Sequence, residues 1–256
     1  MNGPEVNGPA MTGGATGGAL LAVSGLGKRF GGFTALDAID LAVMPGERLG
    51  LIGPNGSGKS TFVNCISGTL RNEAGSVTLA GKRLDGLAPH ARTRLGLARS
   101  FQLPRPFGSL SVADNLRVPL LFAQATRPDD AACRARCTEL LDQVGLAAKA
   151  EQRPRDLTQI EMRKLELARA MAAAPRLLIA DEAMAGLSNS EVDEIVALLL
   201  RLNGQGVTII MIEHIMRAVM AFSQRLVCFV AGRKVADGLP ADVVRNPEVE
   251  RAYLGE

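Results

Sequence analysis

"GPNGSGKST", Gly53 to Thr61, follows directly on an apolar run that includes Leu49, Leu51 and Ile52. The stretch spells G-x-x-x-x-G-K-S as Gly53, Gly58, Lys59 and Ser60, and each residue type has a task in gripping phosphate. Glycine lets backbone N–H groups turn inward and approach anionic oxygens closely, so Asn55, Gly56 and Ser57 between the two ends of the loop count as candidate contacts. Lys59 brings a point charge to terminal phosphate oxygens, and Ser60, with Thr61 behind it, supplies a hydroxyl for Mg²⁺. Apolar residues at Phe62, Val63, Ile66 and Leu70 have helical spacing. Strand, glycine loop and helix therefore come in the order that sets a helix amino terminus, with its positive dipole end, against an anion.

Two further segments aim chemistry at the same place. "RLLIA" (176–180) and "VTIIMI" (207–212) are continuous apolar runs, the pattern of strands buried on both faces of a parallel sheet. The first run leads into Asp181 and Glu182, and the second leads through Glu213 to His214, one of two histidines in the chain. Open α/β sheets gather ligand chemistry at the carboxyl ends of their strands. An aspartate there can hold a Mg²⁺ shell, and the next glutamate can orient or deprotonate an attacking water. Taken singly, an acid at a strand end is equally the solvated start of a loop, and a histidine there equally a structural residue.

The rest of the chain fits one large α/β domain. It has 256 residues and 47% hydrophobic composition, enough for a substantial core. A formal charge of +3, with no block of like charges, argues against a nucleic-acid-binding arm or a polybasic membrane anchor. The longest apolar runs, such as 195–200 and 226–231, are far short of the about 20 residues of a spanning helix. Cys65, Cys133, Cys137 and Cys228 are scattered; Cys133 and Cys137 share a helix face with Leu140, Leu141 and Val144 and are expected as small core residues in a reducing compartment. Residues 1–18, rich in glycine and proline and without an apolar core, are expected as a disordered tail, part of it an extension before Met11, and not as a signal peptide. A domain over 19–256 with a helical insert at about 90–172 is expected.

With the phosphate loop, the strand ending in Asp181-Glu182 and the strand leading to His214 in this order, the chain resembles the ATP-binding subunits of ABC transporters over nearly all of residues 20–256. The resemblance implies a P-loop NTPase core of the RecA-like kind, an N-terminal antiparallel β subdomain and a helical insert. It implies ATP and Mg²⁺ as cofactors and a head-to-tail dimer of two ATPase subunits, of the same or different chains. Residue by residue, Lys59, Ser60 and Thr61 match the phosphate and metal contacts, Gln102 in "RSFQ" the Q-loop glutamine, and Asp181 the metal aspartate. Glu182 matches the catalytic base and His214 the switch histidine. Phe30 matches the aromatic that stacks on adenine, with Phe33 as runner-up; a core phenylalanine is the competing reading.

"LGLARSFQLPRPF", "MIEHIMRAVM" and the ending "NPEVERAYLGE" look like the branched-chain amino-acid importer subfamily, whose relatives among lipopolysaccharide-export ATPases share the tail. Import implies integral membrane permease subunits, an extracytoplasmic solute-binding protein at one remove, and a peripheral place on the cytoplasmic face of the inner membrane. A nucleotide-dependent switch with little turnover, or the ATPase of a lipid-linked exporter, are the alternatives. Phe107, Leu110 and Val112 fall where the family receives a coupling helix of the membrane subunit, or else pack the insert.

The chain departs from the family at its signature, where Thr158, Gln159, Ile160 and Glu161 in "LTQIE" replace serine, two glycines and glutamine. Thr158 and Glu161 still form a capping-box pattern, but Gln159 and Ile160 add side chains where the family has none. Ser188 and Ala183 also stand where aspartate and proline are usual. Two readings remain open: an asymmetric pair with one weakened nucleotide site, or a working variant of the signature.

Overall fold

The computed structural model describes residues 18–101, 104–123 and 127–254; the expected tail at 1–18, except for its last residue, and Gln102 lie outside them. In chain order the strands and helices are β1 (Leu21–Phe30), β2 (Phe33–Val43), β3 (Arg48–Ile52), α1 (Lys59–Ser67), β4 (Ala74–Leu79), β5 (Lys82–Arg83), α2 (Pro89–Arg94) and β6 (Leu97–Ser100). There follow α3 (Val112–Phe122), α4 (Asp130–Val144), α5 (Gln159–Ala172), β7 (Leu177–Asp181), α6 (Asn189–Gly204) and β8 (Thr208–Ile212). The chain continues through α7 (Met216–Phe222), β9 (Arg225–Val230), β10 (Arg233–Gly238), α8 (Pro240–Val244) and α9 (Pro247–Leu254).

Two sheets form. One is antiparallel, in the order β2-β1-β4-β5; the other runs β10-β9-β3-β8-β7-β6 and is parallel except for the β9–β10 hairpin. Strands β7 and β8 are buried along their whole length, as their unbroken apolar runs require. One apolar cluster fills the space between the sheets, with Phe62 of α1 edge-on to Phe229 of β9 at 5.1 Å between ring centroids. A second lies on the opposite face of the parallel sheet and continues into α3, α4 and α5. Burying Phe62, Val63 and Ile66 contributes roughly 1.5–3 kcal/mol each and docks α1, and the loop ahead of it, against the sheet. Arg92 fixes the other end of that helix: its Nη1 donates to the carbonyls of Cys65 and Ile66, each at 2.7 Å, where carbonyls would otherwise lack partners.

The expected insert begins later than residue 90. Leu97–Ser100 is the edge strand of the six-stranded sheet, paired with β7 from Leu97↔Leu177 to Ser100↔Ala180. The short β-strand hid inside a helical-looking stretch because its sequence, "LARS", has neither length nor alternation. Cys133 and Cys137 are buried within the helical cluster, and all four cysteines are free and buried. Burial pushes the Cys137 thiol up to about 12 and the Cys228 thiol up to about 11.

Candidate active site

Parallel register brings the chemistry into one row. Leu51 of β3 pairs with Ile212 of β8, and Ile212 pairs with Asp181 of β7. Whatever follows these strands therefore leaves the sheet at one level: the 53–58 loop from β3, Glu182 from β7, Glu213 and His214 from β8.

The loop is shaped by close backbone contacts. Gly58 caps α1 in the left-handed region, at φ 100°, without any side-chain cap. A Cβ on it would stand 2.6 Å from the Ala35 carbonyl, and one on Gly53 would strike the Phe229 carbonyl. The loop is also tied to the β9–β10 turn, whose Gly232 N–H donates to Ser57 O at 3.1 Å while its carbonyl accepts from Asp37 N–H at 2.9 Å. At the loop's start, Gly53 N–H donates to the Tyr253 hydroxyl at 2.8 Å, a link across two hundred residues from α9. Ser57 is buried, while Asn55, Gly56 and Ser60 are exposed at the mouth.

Lys59 Nζ donates to the carbonyls of Gly53 (2.6 Å) and Pro54 (3.0 Å). Burial lowers its ammonium from the ordinary lysine value, and the carboxylates of Glu182 and Asp181 pull in the opposite sense. An ammonium held over its own loop carbonyls can exchange them for phosphate oxygens. The donor set suits ATP and Mg²⁺: one cation for anionic oxygens, and the Ser60 hydroxyl and Asp181 carboxylate as hard oxygen donors for a small dication.

Glu182 occupies the left-handed region at φ 47°, a conformation that costs a non-glycine residue about 1–2 kcal/mol. Contacts on both sides hold the turn. Glu182 N–H donates to Ile212 O at 2.9 Å, and Met184 N–H donates to Glu213 Oε1 at 2.9 Å. Glu213 is buried, and burial raises its carboxyl above the usual range. His214 stands exposed at the mouth, its Nδ1 3.9 Å from Glu213 Oε2. Asp181 is held by Arg99, whose Nη2 and Nε donate to Oδ2 at 2.6 and 3.2 Å.

The two candidate aromatics are not core residues: Phe30 is 48% and Phe33 62% exposed at the tip of the β1–β2 hairpin. That exposure rules out the core-phenylalanine reading; the Lys28 ammonium stands 5.2 Å from the centre of the Phe30 ring. Val112, in contrast, is fully buried in the helical cluster, so it packs the insert and does not line a groove. Phe107 does line one, a cavity of about 340 Å³ between the parallel sheet and the helices, shared with Phe101, Pro119 and Phe122. Buried Asn115 pins it there, accepting from Phe107 N–H at 2.8 Å and donating to Phe107 O at 3.1 Å.

Thr158 caps α5 as its sequence predicts. Its hydroxyl accepts from Glu161 N–H, and the Glu161 carboxylate accepts from Thr158 N–H at 2.9 Å and from Lys149 at 2.7 Å. These donors hold the Glu161 carboxyl below its ordinary value, with the Lys149 bond the main cause. Gln159 turns back into its own chain: its Nε2 donates to Ala185 O at 3.3 Å and lies over Gly186, in the turn after Glu182. Ile160 packs against the helical cluster. Sequence reasoning missed Arg99, Tyr253 and Glu213. Only Glu213, an acid closing an apolar run, left a local trace.

A phosphate loop, two acids and a histidine on one edge of a mixed sheet, with a helical layer beside it, define a nucleotide-driven motor domain. The chain belongs to the ABC transporter ATP-binding family, whose family description "ABC transporter" matches residues 36–185. A second description, "Branched-chain amino acid ATP-binding cassette transporter", matches residues 233–256. The high-affinity branched-chain amino acid transport ATP-binding protein LivG of Salmonella typhimurium is 37% identical over 250 residues, covering 93% of this chain and 98% of that protein. The corresponding protein BraF of Pseudomonas aeruginosa is 36% identical over the same coverage. Among solved structures, the ADP conformation of MJ1267, an ATP-binding cassette of an ABC transporter, aligns with a TM-score of 0.85 at 28% identity, over 93% of this chain and 99% of that one.

Proposed function

We propose that this chain is the ATP-hydrolysing subunit of an importer for branched-chain or related hydrophobic amino acids. It would work at the cytoplasmic face of the membrane, paired with a second ATPase subunit and seated on permease subunits that a solute-binding protein supplies. The observation that carries the reading is the single row formed by the ends of β3, β7 and β8, from which the loop leading to Lys59, and Asp181, Glu182 and His214, leave the sheet at one edge. Similarity to LivG and BraF supports the substrate class. No helix among the described residues is long and apolar enough to cross a membrane, so membrane contact would come through other subunits.

Each residue has a defined task. N–H groups between Asn55 and Thr61 and the Lys59 ammonium bind and orient the terminal phosphates. Ser60 and Asp181, with Gln102, would hold Mg²⁺, which when bound neutralises charge on the phosphate oxygens. Glu182 takes the proton of the attacking water at its carboxylate, at a turn whose backbone is held by Ile212 O and the Glu213 carboxylate. His214, at the rim, contacts the γ-phosphate, and Phe30 offers a face to adenine. In the partner's site, the amino end of α5 from Thr158 to Glu161 approaches the nucleotide held by the other subunit.

In the assembled transporter, Glu182→Gln should retain ATP binding and lower turnover about a hundred- to ten-thousandfold, with amino-acid uptake falling in parallel. Turnover and uptake at wild-type rates would refute the assignment. Uptake of another solute class with intact turnover would refute the substrate alone.

A further inference from the structure

Gly53, the first residue of the phosphate loop, is buried and held from three directions. Behind it runs β9, whose Phe229 carbonyl leaves no room for a Cβ. Its own carbonyl accepts from Lys59 Nζ at 2.6 Å, and its N–H donates to the Tyr253 hydroxyl at 2.8 Å. Tyr253 is brought there by α9. Val249, one turn earlier on the same helix face, is buried in the apolar cluster that contains Ile52, the residue before Gly53. Helix and strand thus keep step: Val249 shares a cluster with Ile52, and Tyr253 bonds to Gly53. The start of α9 is fixed as well, since Asn246 Oδ1 accepts from Glu248 N–H at 2.8 Å and Asn246 O from Glu250 N–H at 2.9 Å. The Tyr253 ring is 43% exposed, so the hydroxyl, more than the burial of the ring, is what this side chain brings to the loop.

Nucleotide affects the two bonds on Gly53 differently. Lys59 leaves the Gly53 carbonyl to reach phosphate oxygens, whereas Tyr253 holds an N–H outside the stretch from Asn55 to Thr61 and can stay. In the loaded loop, Tyr253 is the hydrogen bond that keeps Gly53 in place, while Gly232 holds the middle of the loop through Ser57 O. A buried N–H without an acceptor is costly. A loop that lost the hydroxyl would turn Gly53 towards water while empty and would have to recover its shape on binding. That recovery is subtracted from affinity.

We propose that Tyr253 is a positioning residue that preorganises the phosphate loop, so that the seating of α9 sets nucleotide affinity. This rests on the assignment of the loop as the phosphate site.

The test is titration of the purified chain with a fluorescent ADP analogue and Mg²⁺. Tyr253→Phe, which keeps the ring and removes only the hydroxyl, should weaken binding about five- to tenfold, the scale of one hydrogen bond to a buried amide. A tyrosine with a merely structural role would lower Tm and leave the affinity of the folded protein alone. In the assembled transporter, the KM for ATP should rise by more than kcat falls, because the loop once loaded regains its shape. Val249→Ala, which loosens α9 and keeps the hydroxyl, should weaken analogue binding by a smaller factor, and it carries the test should Tyr253→Phe not fold. Both changes act through one tether, so the double variant should bind within about twofold of Tyr253→Phe and not show the product of the two losses. Unchanged affinity in either folded single variant, a fall in kcat at fixed KM, or full additivity overturns the proposal. A wild-type chain with no Mg²⁺-dependent affinity for the analogue overturns the phosphate-site reading beneath it.

Discussion

The mouth of the phosphate loop and the amino end of α5 both present helix N–H groups at the surface, and they are built in opposite ways. The first has no side-chain cap. It depends on Gly58 at positive φ, on a carbonyl of β2 packed close behind it, and on tethers from the β9–β10 turn and from Tyr253. The second is finished locally by Thr158, Glu161 and Lys149. A site assembled from distant backbone tolerates little substitution, whereas a self-contained cap tolerates changes beside it. The degenerate "LTQIE" fits that contrast, since a side chain at Gln159 finds a contact within its own subunit.

The sharpest way to break the contrast is Gly58→Ala. Its Cβ would collide with Ala35 O in a backbone region costly to alanine, so nucleotide affinity should fall by about a hundredfold or more, measured by analogue binding. Near-normal binding would show that the loop is not held by its backbone. Thr158→Ala should cost about 1 kcal/mol of stability, seen as a small drop in Tm, and leave nucleotide affinity of the isolated chain intact. Lost affinity there would erase the distinction between the two ends.

A drift with pH tests the turn behind Glu182. Folding favours protonated Glu213, because burial raises its carboxyl. That contribution is complete below the unfolded value near 4.5 and drains away as pH rises through the raised folded value. Glu213→Gln does not titrate, so the Tm of the variant minus that of wild type should climb across that window and then level off. A flat difference would mean that Glu213 is not desolvated. Smallest of all, Gln159→Ala should change stability by less than about 0.5 kcal/mol in thermal melts.

The parallel sheet and the loop were legible in sequence because both are written in short, contiguous signals: unbroken apolar strands, glycines at fixed spacing, acids at a strand end. The capping box at Thr158 was legible for the same reason. What escaped depends on contacts between segments far apart. Arg99 reaches Asp181 across eighty residues of chain, and Tyr253 reaches Gly53 from the far end. Val112 and Phe107 lie five residues apart with similar hydrophobicity, yet one faces the helical core and the other the cavity. That division is set by the first turn of α3 and by Asn115, and no local pattern marks it. The strand β6 was lost because its four residues show no period.

All four cysteines are buried, burial raises the thiols of Cys65, Cys137 and Cys228, and it is the thiolate that reacts with thiol-directed dyes. A cysteine introduced on the surface, for instance at the rim of the cavity or near Thr158, would therefore be the one site that labels quickly. Distance measurements by paired fluorophores or spin probes, following closure of two subunits around nucleotide, could then start from the natural sequence without first stripping it of thiols.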